Sequence, residues 1–305
     1  PQEAAKVATD FFSAGNVSRL SSIDALELVR TSKKSDGTPV YYVFNARNGR
    51  GFIIISADDK AIPVVGYSYE TSFLADKVSD VTNTVLDKAV RPMDTNITEL
   101  RQRVTASKSS SKLLDTPSWS QEAPFNAQIP NRRLVGCVGT AMATVMKYHN
   151  HPVRGNGSLD DTDFNAQYDW NNMRADNYRS GYSEAEAAAV STLMAHCAVS
   201  IKTDFGMSGS SAFEVRVPAA LISFFGYDPG VSYKKGSETD RATWDAIIVN
   251  EINEGRPVIY SGQDVSVGHA FVCDGYEMRG SVPYFHINWG WGGSANGYFS
   301  SDALN

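Results

Sequence analysis

One cysteine stands at the point where a helix begins. Cys137 follows Gly136, and apolar residues then recur at helical spacing until Pro152. The inward-facing positions are Val138, Ala141, Met142, Val145 and Met146. Backbone N–H groups and the helix dipole favour negative charge at this end, so we expect the pKa of the Cys137 thiol to fall. A thiolate held there is the nucleophile of cysteine-dependent acyl transfer.

The two other cysteines have a different setting. Cys197 and Cys273 lie within apolar runs, where a thiolate would be poorly solvated, so we expect both in the core. Three cysteines are too few and too scattered for a disulfide framework, and none has the spacing of a metal ligand. The sequence therefore predicts neither a metal nor a cofactor.

A cysteine nucleophile needs a base, and histidine is the side chain that titrates near neutral pH. His269 follows Gly268 at the start of a predicted strand, where the missing side chain leaves room for a substrate backbone. The other histidines are His149, His151, His196 and His286. The first two lie at least 12 residues beyond the cysteine, about 18 Å away along a helix. The last two are expected to be packed or solvated, which favours His269 as the base.

A glycine- and tryptophan-rich segment near the C-terminus could support that histidine. Asn288 could orient the ring of His269, while Trp289 and Trp291 could shield it from water. The alternative is a glycine-rich hairpin with structural tryptophans. Upstream, the side-chain amide of Gln121 could join the backbone of the cysteine as an oxyanion hole.

Length and composition limit the class of protein. A chain of 305 residues is long enough for two domains. It has a formal charge of -6, 42% apolar residues and no apolar run near the roughly 18 residues of a membrane-spanning helix. The charge and the lack of a basic cluster argue against nucleic acid as a partner. Because the chain begins with Pro1, we expect it to be trimmed, with any signal peptide already removed.

The first part of the chain predicts a helix followed by an antiparallel meander. The helix covers residues 2–13, and turn signals separate the strands. These strands are residues 25–29, 40–44, 52–55 and 62–67. A helix is predicted over about 80–104. The polar residues 105–112 that follow predict an exposed linker, in which Lys108 and Lys112 are candidates for a cut. We place the domain boundary there, giving domains 1–110 and 111–305.

The second part alternates between helices and a terminal sheet. Beyond the helix that starts at Cys137, helices are predicted over residues 184–201 and 243–253. Strands are predicted over residues 257–260, 268–273 and 284–289, and they should form an antiparallel sheet.

The order of these motifs resembles the streptopain family of bacterial cysteine peptidases, which are distant relatives of papain. The residues that carry the resemblance are Gln121, Gly136-Cys137, Gly268-His269-Ala270 and Asn288-Trp289-Gly290-Trp291-Gly292. Residues 41–44 and 51–58 resemble the pro-domain of that family, and residues 137–152 resemble its catalytic helix. Within the family, the chain is most similar to the interpain-type proteases of oral Bacteroidales.

The resemblance implies an α+β fold, with an α+β pro-domain ahead of a papain-like pair of lobes, one helical and one an antiparallel sheet. Cys137 would be the nucleophile, His269 the general base and acid, and Gln121 an oxyanion donor. Asn288 and Trp289 would orient or shield the histidine. The residues that would line the substrate cleft are Trp291, Gly206, Ser208, Gly209, Val267 and Gly268. A preference for an apolar residue in the second substrate pocket is also implied.

The resemblance further implies a secreted or cell-surface zymogen, of the kind associated with virulence. Its pro-domain would hold the histidine away from the cysteine until the linker is cut, and further C-terminal modules could follow Asn305. The main hypothesis is therefore an endopeptidase that hydrolyses proteins through a thioester. The alternatives are another Cys/His acyl transferase or amidase, and an inactive binding homologue with the same fold.

Overall fold

The computed structural model describes residues 1–47, 49–74, 90, 97–207, 209–263 and 268–304. Its helices are α1 (Gln2–Ala14), α2 (Ile97–Thr105), α3 (Cys137–His149), α4 (Glu184–Ser200), α5 (Val217–Phe225) and α6 (Arg241–Asn253). Its strands are β1 (Leu26–Lys33), β2 (Pro39–Ala46), β3 (Phe52–Ser56), β4 (Val64–Ser68), β5 (Lys108–Leu113), β6 (Ser158–Leu159), β7 (Thr162–Asp163), β8 (Asp204–Phe205), β9 (Ser210–Ser211), β10 (Val258–Gln263), β11 (Gly268–Arg279), β12 (Val282–Asn288) and β13 (Gly297–Ser300). Short 3₁₀ turns lie at Ser18–Leu20, Ile23–Ala25, Pro130–Arg132, Trp170–Asn172, Glu214–Arg216, Gly236–Glu238 and Ser301–Ala303.

The N-terminal part packs one helix on an antiparallel meander, as predicted. Strands β1 to β4 pair in sequence order, each antiparallel to the next. The buried face of α1 carries Phe11 and Phe12, which pack against Ile53 and Tyr67 in one apolar cluster. The helix predicted over 80–104 is described only from Ile97, where α2 begins, and its earlier part lies outside the described residues.

The antiparallel sheet continues beyond β4 into the C-terminal part of the chain. Strand β4 pairs with β13, so that Tyr298 lies opposite Tyr67 and Phe299 opposite Gly66. A Cβ atom at Gly66 would lie 2.5 Å from the ring of Phe299, and one at Gly297 would lie 2.4 Å from the carbonyl of Tyr67. Nine of the described strands therefore form one sheet, in the order β1-β2-β3-β4-β13-β12-β11-β10, with β5 also beside β11. The strands β6 and β7 pair with each other, as do β8 and β9. The sheet runs through both parts of the chain.

The expected linker is partly a strand. Residues Lys108–Leu113 form β5, which pairs antiparallel with the second half of β11, from Leu113 opposite Gly275 to Lys108 opposite Arg279. The side chains of β5 are mostly exposed, which is why their polar pattern predicts a linker. The strand forms because β10 pairs only with the first half of β11, and β5 satisfies the backbone groups beyond it.

A buried ion pair also joins the two parts of the chain. Arg279 of β11 lies over the ring of Phe11, at 4.1 Å from its centroid, and near that of Tyr67. Its guanidinium donates to Glu277 at 2.7 Å and to the hydroxyl of Tyr69 at 3.0 Å. Both members of the pair are fully buried, and Lys108 of β5 also lies 3.1 Å from Glu277, so the buried carboxylate is compensated by two cations.

The C-terminal part consists of a helical lobe and a sheet lobe that meet at α3. Met142 and Met146 pack into the helical lobe together with Leu193 of α4. Val145 packs on the other side, against Val272 of β11. The predicted α+β architecture with papain-like lobes is confirmed, and α3 lies between the lobes. Within the described ranges, no helix combines the length and the hydropathy needed to cross a membrane.

Candidate active site

Cys137 is the first residue of α3, as predicted. Gly136 caps the helix with a φ of 92°, a conformation that favours glycine. A Cβ atom there would lie 3.3 Å from the carbonyl of Ser210 and 3.5 Å from Thr203, so the chain also enters the helix through a narrow space. The sulfur is therefore fixed at the helix N-terminus, facing the junction of the two lobes.

The pKa of Cys137 does not fall in this structure. Burial raises the pKa of the thiol, while hydrogen bonds from the backbone of Ala270 and Val138 act in the opposite direction. The prediction that the helix N-terminus lowers the pKa of Cys137 is therefore wrong for this structure, because desolvation of the thiol has the larger effect on that pKa. The contact with Ala270 places the nucleophile beside β11, next to His269.

His269 is buried, with 4% of its surface exposed. Its Nε2 atom lies 2.9 Å from the carbonyl oxygen of Trp289. The ring stacks on Trp291 at 4.8 Å and 20°, and Trp289 and Trp291 stack on each other at 5.4 Å. Burial lowers the pKa of His269 to about 4, with the Trp289 carbonyl acting in the opposite direction. The imidazole is therefore neutral near pH 7.

The side chain of Asn288 hydrogen-bonds to groups other than the ring of His269, contrary to the expectation from the sequence. Its Nδ2 atom donates to Thr116 at 3.0 Å and to the carbonyl of Pro117 at 2.9 Å, and its Oδ1 atom accepts from the backbone of Gly290 at 3.2 Å. A backbone carbonyl, that of Trp289, contacts the histidine instead. Sequence reasoning did not identify this acceptor because every residue carries one.

Gln121 lies at the approach to the catalytic helix. Its backbone carbonyl accepts from the N–H of Val135 at 3.2 Å, two residues before Cys137. The residue is half-buried. This placement keeps Gln121 close to the helix N-terminus, where an oxyanion would form.

The expected cleft residues fall on a small hairpin and on the first residue of β11. Gly206 and Gly209 lie in the loop of the β8–β9 hairpin. Its Ser210 hydroxyl donates to the carbonyl of Leu134 at 2.6 Å, which attaches the hairpin to the chain just before Gly136. Gly268 is exposed at the start of β11. The other two expected residues, Ser208 and Val267, lie outside the described residues.

Aromatic rings connect the N-terminal part to the site. Phe73 contacts Phe52 at 5.7 Å, and Phe52 contacts Phe299 at 6.4 Å. Phe299 then meets Trp289 edge-on at 5.1 Å. The packing of the N-terminal part therefore reaches Trp289 through Phe299, and Trp289 stacks on the ring of His269 at 6.2 Å.

The two candidate catalytic side chains are not ionised in this structure. The hydrogen bonds found across the described ranges include none between the sulfur of Cys137 and the ring of His269. Burial keeps the thiol protonated and the imidazole neutral, whereas acyl transfer by cysteine requires a thiolate. The same described ranges contain no group of three or more His, Cys, Asp or Glu side chains placed to hold a metal ion. The chemistry available is nucleophilic attack by sulfur, once the pair is ionised.

Known proteins and protein families match both parts of the chain. Residues 119–299 match the Peptidase C10 family, and residues 1–92 match the family described as Spi protease inhibitor. Streptopain from Streptococcus pyogenes is 33% identical over 303 residues, covering 87% of this chain and 74% of streptopain. The thiol protease/hemagglutinin PrtT of Porphyromonas gingivalis is 32% identical over 99% of this chain, but the chain spans only 38% of that protein's length.

Two solved structures from Prevotella intermedia are similar. A prointerpain A fragment is 34% identical with a TM-score of 0.73, covering 92% of this chain and 93% of the other. Active interpain A is 35% identical with a TM-score of 0.57, covering 63% of this chain and 87% of the other. The predicted resemblance to the streptopain family and to interpain-type proteases is confirmed. An inhibitor-like pro-domain in front of a peptidase domain is the arrangement of a zymogen, and the chain belongs to the peptidase C10 family of cysteine peptidases.

Proposed function

We propose that this chain is the zymogen of a secreted cysteine endopeptidase that cleaves proteins through a thioester. The observation that carries the proposal is the position of Cys137 at the N-terminus of α3, in contact with the residue that follows His269. The ring of that histidine is already held by the carbonyl of Trp289. These contacts support roles for Cys137 as nucleophile, His269 as base and the Trp289 carbonyl as the acceptor that stabilises the protonated base.

The reaction follows from these groups. After activation, His269 takes the thiol proton, and the Cys137 thiolate attacks the peptide carbonyl carbon to form a tetrahedral oxyanion. The oxyanion collapses as the C–N bond breaks and the imidazolium gives its proton to the leaving amine. Water, deprotonated by the neutral ring, then hydrolyses the thioester. The Trp289 carbonyl stabilises the imidazolium that forms at each stage.

The remaining site residues have roles in this proposal. Gln121 donates to the oxyanion together with the backbone of Cys137. Trp291 forms a wall of the cleft, and the hairpin residues Gly206, Ser208 and Gly209 bind the substrate backbone with Val267 and Gly268. The second substrate pocket takes an apolar residue. Proteins are the substrates, and nucleic acid is not a partner.

Activation requires a cut ahead of β5. The domains 1–110 and 111–305 expected from sequence remain our proposal, but the pairing of β5 with β11 supports a cut before Lys108 rather than within 108–112. Residues 105–107 connect α2 to β5, and Thr105 and Ser107 are exposed. Cleavage there leaves β5 with the enzyme and separates it from the inhibitor-like part.

The test compares the wild-type chain with its Cys137→Ala variant. Each is incubated alone, its mass is followed with time, and the new N-terminus is sequenced. We expect only the wild type to convert, with a new N-terminus within residues 105–108, and only the converted protein to digest casein. Conversion of both variants at equal rates would show that Cys137 is not responsible for maturation.

Two other outcomes decide between the remaining functions. Turnover of small amides without digestion of casein would favour an amidase or acyl transferase. Failure of the processed chain to react with iodoacetamide at neutral pH would favour an inactive binding homologue.

A further inference from the structure

The catalytic histidine is held by one particular peptide group. The carbonyl of Trp289 contacts Nε2 of His269, and the N–H of the same peptide group belongs to Gly290. That N–H donates to Oδ1 of Asn288 at 3.2 Å. Because the two ends of a trans peptide point in opposite directions, anchoring the N–H fixes the direction of the carbonyl. Gly290 has a φ of 74°, a conformation that favours glycine. Because glycine has no side chain, residue 290 itself does not limit rotation of this peptide.

The orientation of Asn288 is fixed in turn by a buried polar chain. Asp274 is 3% exposed, and its Oδ2 atom accepts from the hydroxyl of Thr116. A carboxylate can only accept, so Thr116 gives its single proton to Asp274 and its lone pairs face Asn288. The Nδ2 atom of Asn288 donates to that hydroxyl at 3.0 Å and to the carbonyl of the adjacent Pro117 at 2.9 Å, which leaves Oδ1 for Gly290.

Asp274, at the end of this series of hydrogen bonds, is held through both its side chain and its backbone. Oδ1 of Asp274 lies 2.5 Å from Nδ1 of His286, and the backbone carbonyl of Asp274 accepts from the N–H of Leu114 at 2.8 Å. Thr116 therefore follows directly on a segment that is hydrogen-bonded to β11. These contacts are all made within residues 114–290, so none of them uses a residue of the N-terminal part.

We propose that Thr116, held by Asp274, is a positioning residue for catalysis: through Asn288 it aims the Trp289–Gly290 peptide at His269. The inference rests on the proposed peptidase function and deepens it. Asn288 thus orients the histidine indirectly, through a backbone carbonyl. The Thr116 hydroxyl touches neither the substrate nor the reacting atoms, and its effect reaches the ring through three hydrogen bonds and one peptide group.

The experiment compares Thr116→Val with Thr116→Ser in enzyme obtained by self-processing of the full chain. Valine keeps the shape and removes the hydroxyl, whereas serine keeps the hydroxyl. We expect Thr116→Val to lower kcat about tenfold with KM changed less than about twofold, because the base is misplaced while the cleft is intact. Thr116→Ser should retain activity within about threefold.

The pH profile separates positioning from a general loss of structure. A misdirected Trp289 carbonyl stabilises the imidazolium less, so the alkaline limb of kcat/KM should move to lower pH by about half a unit in Thr116→Val. The control is Ser191→Ala, which removes a buried hydroxyl from α4 in the helical lobe, and its profile should match the wild type. Asp274→Asn tests the same link if Thr116→Val does not fold.

The outcomes are distinguishable from failure of the proposed function. Wild-type enzyme that cleaves no protein would overturn the peptidase proposal itself. An active wild type with an unchanged kcat and alkaline limb in Thr116→Val would overturn only the positioning role. Equal losses in Thr116→Val and Thr116→Ser would also overturn it, because the hydroxyl would not be the group that matters.

Discussion

At the scale of single residues, burial shifts the pKa values of Cys137 and His269 in opposite directions. Burial raises the pKa of Cys137 and lowers that of His269 to about 4, so both groups are neutral in the zymogen. A thiolate–imidazolium ion pair would require the pKa of Cys137 to fall and the pKa of His269 to rise. Activation must therefore change the environment of the two side chains, and the two following predictions test that change.

The reactivity of Cys137 should depend on processing. We expect iodoacetamide to alkylate the processed chain at pH 7 at least about tenfold faster than the precursor, because only a thiolate reacts. Intact-mass measurements on one partly processed sample follow both species at once. The Cys137→Ala variant is the control for Cys197 and Cys273, whose pKa values burial raises and which should stay unmodified. Equal rates in precursor and product would contradict the protonated thiol.

The buried His269 should make the precursor sensitive to acid. The unfolded ring binds a proton near pH 6.5 and the folded ring near pH 4, so the stability due to the neutral ring is complete above 6.5. It is lost as the pH falls toward 4. In a Cys137→Ala background, urea unfolding should show the protein with His269 losing about 2 to 3 kcal/mol relative to His269→Gln between pH 7 and pH 4.5. Parallel pH curves for the two proteins would contradict the burial of the ring.

At the scale of elements, β11 joins the parts of the molecule. Its first residues carry His269, its middle carries Asp274 of the positioning chain, and its end carries Arg279 against α1. It also pairs with β10, β12 and β5. Changes at the end of this strand should therefore affect how firmly the inhibitor-like part is held.

Replacement of Arg279 by methionine should weaken the precursor. It removes the buried partner of Glu277 and leaves the half-exposed Lys108 at 3.1 Å, so we expect a loss of about 2 to 3 kcal/mol in unfolding free energy and faster conversion to the processed form. The control is Arg256→Met, which breaks a half-exposed pair with Glu251 and should cost less than about 1 kcal/mol. Chemical unfolding in the Cys137→Ala background and conversion rates in the active chain measure the two effects. Equal losses in the two variants would show that burial of the pair is unimportant.

At the scale of the whole molecule, the inhibitor-like part extends the sheet of the enzyme. Removal of β4 would turn β13 into an edge strand with unpaired backbone groups. We expect peptides that contain residues 297–300 to exchange amide hydrogen at least about tenfold faster after processing. Peptides from β12 serve as the internal reference and should be unchanged. Protection of β13 that persists after processing would show that β4 remains bound.

The sequence was sufficient for features that depend on local pattern. The spacing of Val138, Met142 and Met146 predicts α3, and alternation and turn signals predict the first four strands. The positions of Cys137 and His269 on opposite lobes also follow from pattern and family resemblance. Their proximity is shown by the contact of the cysteine with Ala270.

Features that depend on distant partners could not be predicted. The residues of β5 are polar and lack periodicity, and they form a strand only because β11 offers unpaired backbone groups. The pairing of β4 with β13 joins residues more than 200 positions apart. The sign of the Cys137 pKa shift depends on how completely the second lobe covers the sulfur. The hydrogen bonds of Asn288 depend on Thr116, which no motif marks.

The two glycines at the junction of β4 and β13 have a consequence for evolution as well as for design. Neither position has room for even one additional carbon, since Phe299 faces Gly66 and the backbone of Tyr67 faces Gly297. A single methyl group at either site would act as a wedge between inhibitor and enzyme. A latent precursor could thus become a constitutively open one by the smallest possible enlargement of a side chain, without any change to its catalytic chemistry.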